Sequence, residues 1–222
     1  MPMILNYIEK GCGRPLILLH GNGNSSRYFK KQVRYFSAKF RVIAVDTRGH
    51  GKSPRGGGPF TMERFADDLK IFMEEMGIEK ADILGFSDGA NIALIFALRW
   101  PERVGRLVLC GANLSPDGLR FLPRLSFKLR YRLAKDICKD PKKTELADLA
   151  ANQPRIDEKW LSRLRMPVLV LAGTFDIVKK KHTQMIAGAI LDSQLQIMFG
   201  AHSLPSLRPG GFNRIVDKFL SI

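Results

Sequence analysis

Cysteine is scarce in this sequence. Among its 222 residues there are three cysteines, Cys12, Cys110 and Cys138, which are widely separated and form no C-x-x-C pair. Three scattered cysteines are too few for the disulfide framework of a small secreted domain. We therefore expect a protein of the reducing cytoplasm.

Long hydrophobic runs are also missing. The longest, PLILL and IALIFAL, fall well short of the ~20 residues that a membrane-spanning helix requires. The first residues, MPMILNYIEKGCG, carry an acidic residue and early glycines where a secretory signal has a basic end followed by a long apolar run. These features predict a soluble protein without a signal peptide.

Acidic residues are few relative to basic ones. The 36 lysines and arginines outnumber the 21 aspartates and glutamates, which gives a formal net charge of +15. Such an excess is unusual for an enzyme of small molecules and favours an acidic partner: nucleic acid, anionic lipid or an anionic substrate. The sequence contains no recognisable nucleic-acid-binding module, so we expect no nucleic-acid partner.

Apolar segments alternate with amphipathic ones along most of the chain, and a hydrophobic content of 45% in 222 residues suits one sizeable domain, 1–222. The predicted strands are residues 3–8, 15–20, 40–45, 81–86, 103–110, 168–172 and 194–199. Predicted helices begin near residue 26, span 61–76, 88–99 and 180–190, and end at residue 220. This order indicates an α/β fold with a mostly parallel sheet of about seven strands and helices on both faces. The first two strands, separated by KGCGR, predict a β-hairpin.

The segment 113–165 interrupts this alternation and predicts a small helical lid inserted between two strands. Within it, LRFLPRLSFKLRYRLAKDI places basic side chains and leucines on opposite arcs of a helix. The basic arc contains Arg120, Arg124, Lys128, Arg132 and Lys135, and the leucine arc contains Leu122, Leu125, Leu129 and Leu133. If the leucine arc covers the pocket, the basic arc faces solvent, or attracts an anionic surface or an acidic substrate.

The pentapeptide Gly85-Phe86-Ser87-Asp88-Gly89 has the pattern G-x-S-x-G between a predicted strand and a predicted helix. In that context the pattern indicates a nucleophile elbow, a strained turn that exposes its central side chain. Ser87 is at the centre and is the candidate nucleophile, while the backbone N–H of Asp88 is a candidate oxyanion donor. The alternative is a glycine-flanked turn that happens to contain a serine.

A second glycine-rich turn, His20-Gly21-Asn22-Gly23, follows the strand 15–20. Its exposed amides could supply the other oxyanion donor, and the backbone N–H of Asn22 is the candidate. A phosphate-binding loop is the rival interpretation. It is weaker because the pattern G-x-G-x-x-G is not completed: Ser26 stands where the last glycine belongs.

A serine nucleophile needs a base and an acid that orients the base. Asp176 and His202 each follow the carboxyl end of a predicted strand, in the chain order serine, acid, histidine. Asp117, in the loop after the strand 103–110, is the competing acid. Among the other histidines, we expect His20 and His50 to be hydrogen-bonded structural residues in turns and His182 to face solvent.

The segments HGNG, DTRGHGKS, GFSDGAN, GTFDIV and GAHSLP occur in the order and spacing of the α/β-hydrolase superfamily, and the chain resembles that superfamily over essentially its whole length. GFSDGA is similar to the serine-hydrolase branch with its bacterial carboxylesterase-like and valacyclovir-hydrolase-like members. The dehalogenase and epoxide-hydrolase branches have aspartate at the position of Ser87. The resemblance implies a Ser87–His202–Asp176 triad, oxyanion donors from Asn22 and Asp88, and neither cofactor nor metal.

These residues together predict a hydrolase of small carboxylic esters that works through an acyl-enzyme on Ser87. Thioesters, amides and carbon–carbon bonds are cleaved with the same residue types and stay open as substrates. The alternative is a signalling or ligand-binding protein of the same fold with slow or no turnover. The sequence does not indicate an oligomeric state.

Overall fold

The computed structural model describes residues 5–221. Its strands are β1 Tyr7–Lys10, β2 Pro15–Leu19, β3 Arg41–Val45, β4 Ala81–Phe86, β5 Val104–Cys110, β6 Val168–Phe175 and β7 Ser193–Ala201. Its α-helices are α1 Lys30–Phe36, α2 Met62–Glu75, α3 Asp88–Arg99, α4 Phe121–Arg132, α5 Pro141–Asn152, α6 Lys180–Gly188, α7 Leu204–Leu207 and α8 Pro209–Leu220. Within the described residues, no helix is both long and apolar enough to cross a membrane.

Seven strands of the described chain form one sheet in the order β1-β3-β2-β4-β5-β6-β7. β1 is antiparallel to β3, and the remaining neighbours pair in parallel. The predicted α/β architecture with a mostly parallel sheet of about seven strands is confirmed.

The predicted opening hairpin is wrong, because β3 lies between β1 and β2. The sequence PLILL of β2 is apolar throughout and is almost entirely buried, so this strand needs a neighbour on both sides, and β3 and β4 provide them. The exposed residues of β1 suit the edge position that it takes instead. Residues 3 and 4 of the predicted first strand lie outside the described residues.

Alternate side chains of the central strands pack into two separate cores, one on each face of the sheet. In β2, Ile17 and Leu19 contribute to the core under α2, α3 and α6, whereas Leu16 and Leu18 contribute to the core under α1 and α8. This is the two-residue period of a strand that is buried on both faces. The helices therefore cover both faces of the sheet, and the carboxyl ends of the parallel strands meet at one edge.

The segment 113–165 folds into α4, a wide helical turn at Leu133–Cys138, α5 and a short 3₁₀ helix at Glu158–Arg163. The condition that the leucine arc covers a pocket is met by Leu133 alone. The leucine arc is exposed, and α4 instead turns its Phe127, Tyr131 and Ala134 side inwards. α4 also packs against α5.

Candidate active site

Ser87 lies in a sharp turn between the last residue of β4 and the first residue of α3. Its backbone has φ 55° and ψ −121°, a conformation that costs a non-glycine residue about 1–3 kcal/mol. The flanking glycines make the turn possible: a Cβ atom at Gly85 would collide with the backbone of Ala90, and one at Gly89 with the carbonyl of Leu19. The local geometry is that of a nucleophile elbow.

The structure brings Ser87, His202 and Asp176 together at the carboxyl edge of the sheet. The Nε2 atom of His202 lies 3.0 Å from Oγ of Ser87, and its Nδ1 atom lies 2.7 Å from Oδ1 of Asp176. β6 extends to Phe175, so Asp176 follows its last residue, and His202 directly follows β7. These three side chains stand at the ends of β4, β6 and β7, and they form one continuous hydrogen-bonded chain.

The carboxylate of Asp176 is buried and held in place by its surroundings. Burial alone would raise its pKa, but the hydrogen bond with His202 and those from the backbone N–H groups of Val178 and Gly173 hold the pKa below the ordinary value. Asp176 is therefore ionised at neutral pH. An ionised carboxylate at this position fixes the His202 ring with Nδ1 protonated and Nε2 facing Ser87.

Asp117, the competing acid, is placed elsewhere. Its side chain is 74% exposed and forms an ion pair of 2.6 Å with Arg124 at the start of α4. It makes no hydrogen bond to His202, whereas Asp176 does.

Gly111 is a site residue that the sequence reasoning missed. It follows β5 with φ +67°, and a Cβ atom there would lie 2.6 Å from Cε1 of His202. The glycine therefore leaves room for the imidazole ring beside Ser87. The sequence signal was the glycine that directly follows the strand 103–110, at the edge where the other site residues were expected.

The two candidate oxyanion donors lie next to Ser87. The Gly21 turn packs directly on the elbow, since a Cβ atom at Gly21 would lie 3.1 Å from Cβ of Ser87. Asn22 and Asp88 both line the same cavity as Ser87, and Asp88 is the first residue of α3, whose N-terminus favours negative charge.

A side-chain hydrogen bond that was not predicted joins these two positions. Nδ2 of Asn22 donates to Oδ2 of Asp88 at 2.8 Å and also to the carbonyl oxygen of Leu146 in α5 at 2.9 Å. Burial raises the pKa of Asp88, against the opposing effects of Asn22 and His202. Asn22 thus links the turn after β2 both to α3 and to the 113–165 segment.

A cavity of about 590 Å³ opens above Ser87, within the size range of small-molecule sites. Its walls come from the turn after β2, from the loops after β5 and β6, and from α4 and α5. Apolar side chains dominate, including Leu119, Phe127, Leu146 and Val178, with Arg130 and Gln153 among the polar ones. Within residues 5–221, no group of three or more His, Cys, Asp or Glu side chains is arranged to hold a metal ion.

His20 and His50 are buried structural residues, as predicted. Nε2 of His20 accepts from the backbone N–H of Thr47 at 3.1 Å, and its Nδ1 lies 2.8 Å from the carbonyl oxygen of Gly21. Nδ1 of His50 lies 2.9 Å from the carbonyl oxygen of Arg48. Burial lowers the pKa of both rings, so both are neutral at pH 7 and support the turns on which the site is built.

The prediction that His182 faces solvent is wrong. Its ring is half-buried, and Nε2 accepts a hydrogen bond of 3.0 Å from the backbone N–H of Leu114. The ring lies against Gly118, where a Cβ atom would collide with it. His182 therefore fastens α6 to the start of the 113–165 segment, a contact between parts of the chain that are far apart in sequence.

The chain matches the family model described as "alpha/beta hydrolase fold" over residues 14–154. It therefore belongs to the α/β-hydrolase family, as its motifs predicted. A protein of Caulobacter sp. (strain K31), provisionally named as the carbamate hydrolase RutD, is 28% identical over 93% of this chain and 90% of its own length. The 3-oxoadipate enol-lactonase 2 of Acinetobacter baylyi is 24% identical over 96% of this chain and 91% of its own.

Among solved structures, a thermophilic esterase from Thermogutta terrifontis superposes with a TM-score of 0.82 at 25% identity. The match covers 98% of this chain and 93% of that one. Family membership and the names of these relatives support hydrolytic activity, whereas the names refer to different substrates. The particular reaction has to be argued from the site of this chain.

Proposed function

We propose that this protein is a serine hydrolase that cleaves small carboxylic esters through an acyl-enzyme on Ser87. The observation that carries the proposal is the hydrogen-bonded chain from Ser87 through His202 to Asp176, with the serine at a strained elbow that opens into a cavity. A serine hydroxyl is a weak nucleophile, and a histidine within hydrogen-bond reach is the usual means of activating it.

In the first half of the reaction, Oγ of Ser87 attacks the ester carbonyl carbon while Nε2 of His202 takes the hydroxyl proton. The carbonyl oxygen becomes an oxyanion, which the backbone N–H groups of Asn22 and Asp88 stabilise. Asp176 stabilises the imidazolium that forms. His202 then gives its proton to the leaving alkoxide oxygen, the ester C–O bond breaks, and the acyl group stays on Ser87.

In the second half, a water molecule replaces the alcohol. Nε2 of His202 takes a proton from the water as the water oxygen attacks the acyl carbon. The bond between the acyl carbon and Oγ of Ser87 then breaks, and the same proton returns to Oγ. The products are an alcohol and a carboxylic acid. Every proton is carried by His202, so the cycle closes without a cofactor.

The cavity supports a substrate of modest size with an apolar acyl or alcohol part. The names of two of the proteins described above, an enol-lactonase and an esterase, support ester chemistry, since a lactone is a cyclic ester. A carbamate, as in the name of the Caulobacter relative, is the nearest other acyl substrate for the same residues.

A panel of p-nitrophenyl esters tests the proposal together with a fluorophosphonate probe. Wild-type protein should hydrolyse short esters and be labelled by the probe, and Ser87→Ala should lose both properties. Ser203→Ala is the matched control, because Ser203 lines the same cavity. It should keep the label and most of the activity. Labelling that survives in Ser87→Ala and is lost in Ser203→Ala would overturn the assignment.

The same experiment separates the alternative, a ligand-binding or signalling protein of this fold. Such a protein would react with the probe or bind ester analogues but would release little p-nitrophenol after a first equivalent. Continuous release over many turnovers supports the hydrolase.

A further inference from the structure

The outer side of α4 carries a row of leucines that are between 40% and 74% exposed. We call Leu122, Leu125, Leu129 and Leu133 the leucine stripe; their spacing of three and four residues places them on one side of the helix. Leu122 is 74% exposed and Leu129 is 55% exposed. Phe121 and Ile137 are exposed as well and lengthen the apolar surface at its two ends.

The exposed stripe is additional to the apolar contacts that hold α4 in place. The opposite side of the helix, with Phe127 and Ala134, lines the cavity, and α4 packs against α5. Leu133, at the end of the stripe, also borders the cavity, whereas Leu122, Leu125 and Leu129 do not line it. These three leucines are therefore not needed to cover the pocket. Soluble proteins rarely expose contiguous apolar side chains on this scale unless a surface or a partner covers them.

Basic side chains border the stripe. Lys128 and Arg132 are exposed and lie one turn apart, immediately beside the leucines on the helix surface. Lys135 extends this border, with its ammonium 5.7 Å from the centre of the Tyr131 ring. Arg124, which the sequence placed in the same arc, is paired with Asp117 and contributes less.

We propose that α4 docks this protein on an anionic lipid membrane. The leucine stripe enters the boundary between headgroups and acyl chains, and Lys128 and Arg132 extend along it to the lipid phosphates. The helix lies in the plane of the membrane and does not span it. Because the other side of α4 lines the cavity, docking places the mouth of the site close to the lipid surface.

The charge distribution favours a membrane over a second copy of the chain. Pairing two stripes face to face would bring the basic borders of both copies together, in a protein whose formal net charge is already +15. An anionic bilayer supplies an apolar interior for the leucines and negative charge for their basic border. The leucine stripe and its basic border therefore both match an anionic bilayer.

Vesicle co-sedimentation tests the proposal with the full chain, and it does not depend on turnover. Wild-type protein should bind vesicles of equimolar phosphatidylcholine and phosphatidylglycerol, bind pure phosphatidylcholine vesicles much less, and dissociate as salt is raised, since screening shortens electrostatic range to ~3 Å at 1 M. Leu125→Ser with Leu129→Ser should lower the partition coefficient about tenfold or more. Leu191→Ser with Leu207→Ser removes two exposed leucines outside α4 and should have little effect.

A second pair of variants tests the charges. Lys128→Glu with Arg132→Glu should abolish the preference for phosphatidylglycerol, whereas Arg163→Glu with Arg165→Glu should preserve it. The second pair changes the net charge equally, but its two exposed residues precede β6, at the opposite edge of the sheet from the active site.

Three outcomes would overturn the proposal. Equal binding of both vesicle types would exclude an anionic surface. A wild-type dimer in sedimentation velocity that the Leu125 and Leu129 variant dissociates would show that a second copy covers the stripe. The last is that the wild type binds no vesicles, and that the Lys128 and Arg132 variant hydrolyses acidic esters more slowly but neutral esters at the wild-type rate. The basic side chains would then serve to attract substrate.

Discussion

Nε2 of His202 lies 3.0 Å from Oγ of Ser87, although 115 residues separate the two in sequence. The contact exists because β4 and β7 belong to the same parallel sheet, which places their carboxyl ends at one edge. Catalytic activity should therefore depend on the residues that hold the His202 ring at this distance from Ser87. The first two predictions concern such residues.

Asp176→Asn should lower kcat by about four orders of magnitude, because the amide cannot stabilise the imidazolium and favours the wrong tautomer of His202. Asp117→Asn should stay near wild type, since Asp117 is exposed and paired with Arg124. Steady-state kinetics on one p-nitrophenyl ester compares the two. The opposite ranking would show that Asp117 is the functional acid.

Gly111→Ala should lower kcat about 10²-fold by pushing the imidazole of His202 away from Ser87. Gly77→Ala is the matched control, because Gly77 also has a positive φ, +63°, but a Cβ atom there would meet nothing within 4 Å. Both variants should lose similar stability from backbone strain. If kcat falls equally in both, the effect is general and the positioning role of Gly111 is wrong.

Stability should decline in mild acid because of His20. Burial, reinforced by the nearby His50, lowers the pKa of His20 from 6.5 to about 4. Between these values the unfolded chain binds a proton that the folded protein does not. The free energy of unfolding therefore has its full value above pH 6.5 and decreases as the pH falls towards 4. The loss amounts to roughly 3 kcal/mol.

Urea unfolding between pH 7 and pH 4 checks this dependence in wild type and in His20→Gln. The variant has no titrating group at this position, so its free energy of unfolding should change less steeply with pH, whatever its absolute stability. An unchanged slope would mean that another group is responsible.

The buried ion pair between Arg48 and Asp68 should be sensitive to the loss of one partner. The side chains are each 6% exposed, and Arg48→Met leaves an uncompensated carboxylate inside the protein, which costs about 3–5 kcal/mol. The matched pair Arg99 and Asp67 is nearly half exposed, so Arg99→Met should cost less than ~1 kcal/mol. Urea unfolding measures the loss in free energy of unfolding for each variant. Equal losses in Arg48→Met and Arg99→Met would contradict this prediction.

Much of the fold and of the candidate site could be predicted from the sequence because the evidence is local. The elbow is a contiguous pentapeptide around Ser87, and its glycines are required by contacts within a few residues or with the adjoining strand. Asp176 and His202 follow recognisable strands, and the topology of a parallel sheet brings such strand ends together without further information.

The errors concern features that are determined by contacts between residues far apart in sequence. α4 has two apolar sides, one with the leucines and one with Phe127 and Ala134, and helical periodicity cannot say which one packs inwards. His182 lies in a lysine-rich segment that suggests solvent exposure, but the loop after β5 covers it. The hairpin failed for the same reason, because β3 enters between two strands that are consecutive in sequence.

The most direct test of the central claim is to trap the acyl-enzyme. Protein quenched in acid during turnover of a slowly hydrolysed p-nitrophenyl ester should carry one acyl group, which peptide mass spectrometry places on Ser87. The adduct should be absent from Ser87→Ala and present in Ser203→Ala. An acyl group on any other residue, or turnover of the ester by Ser87→Ala at the wild-type rate, would contradict the account.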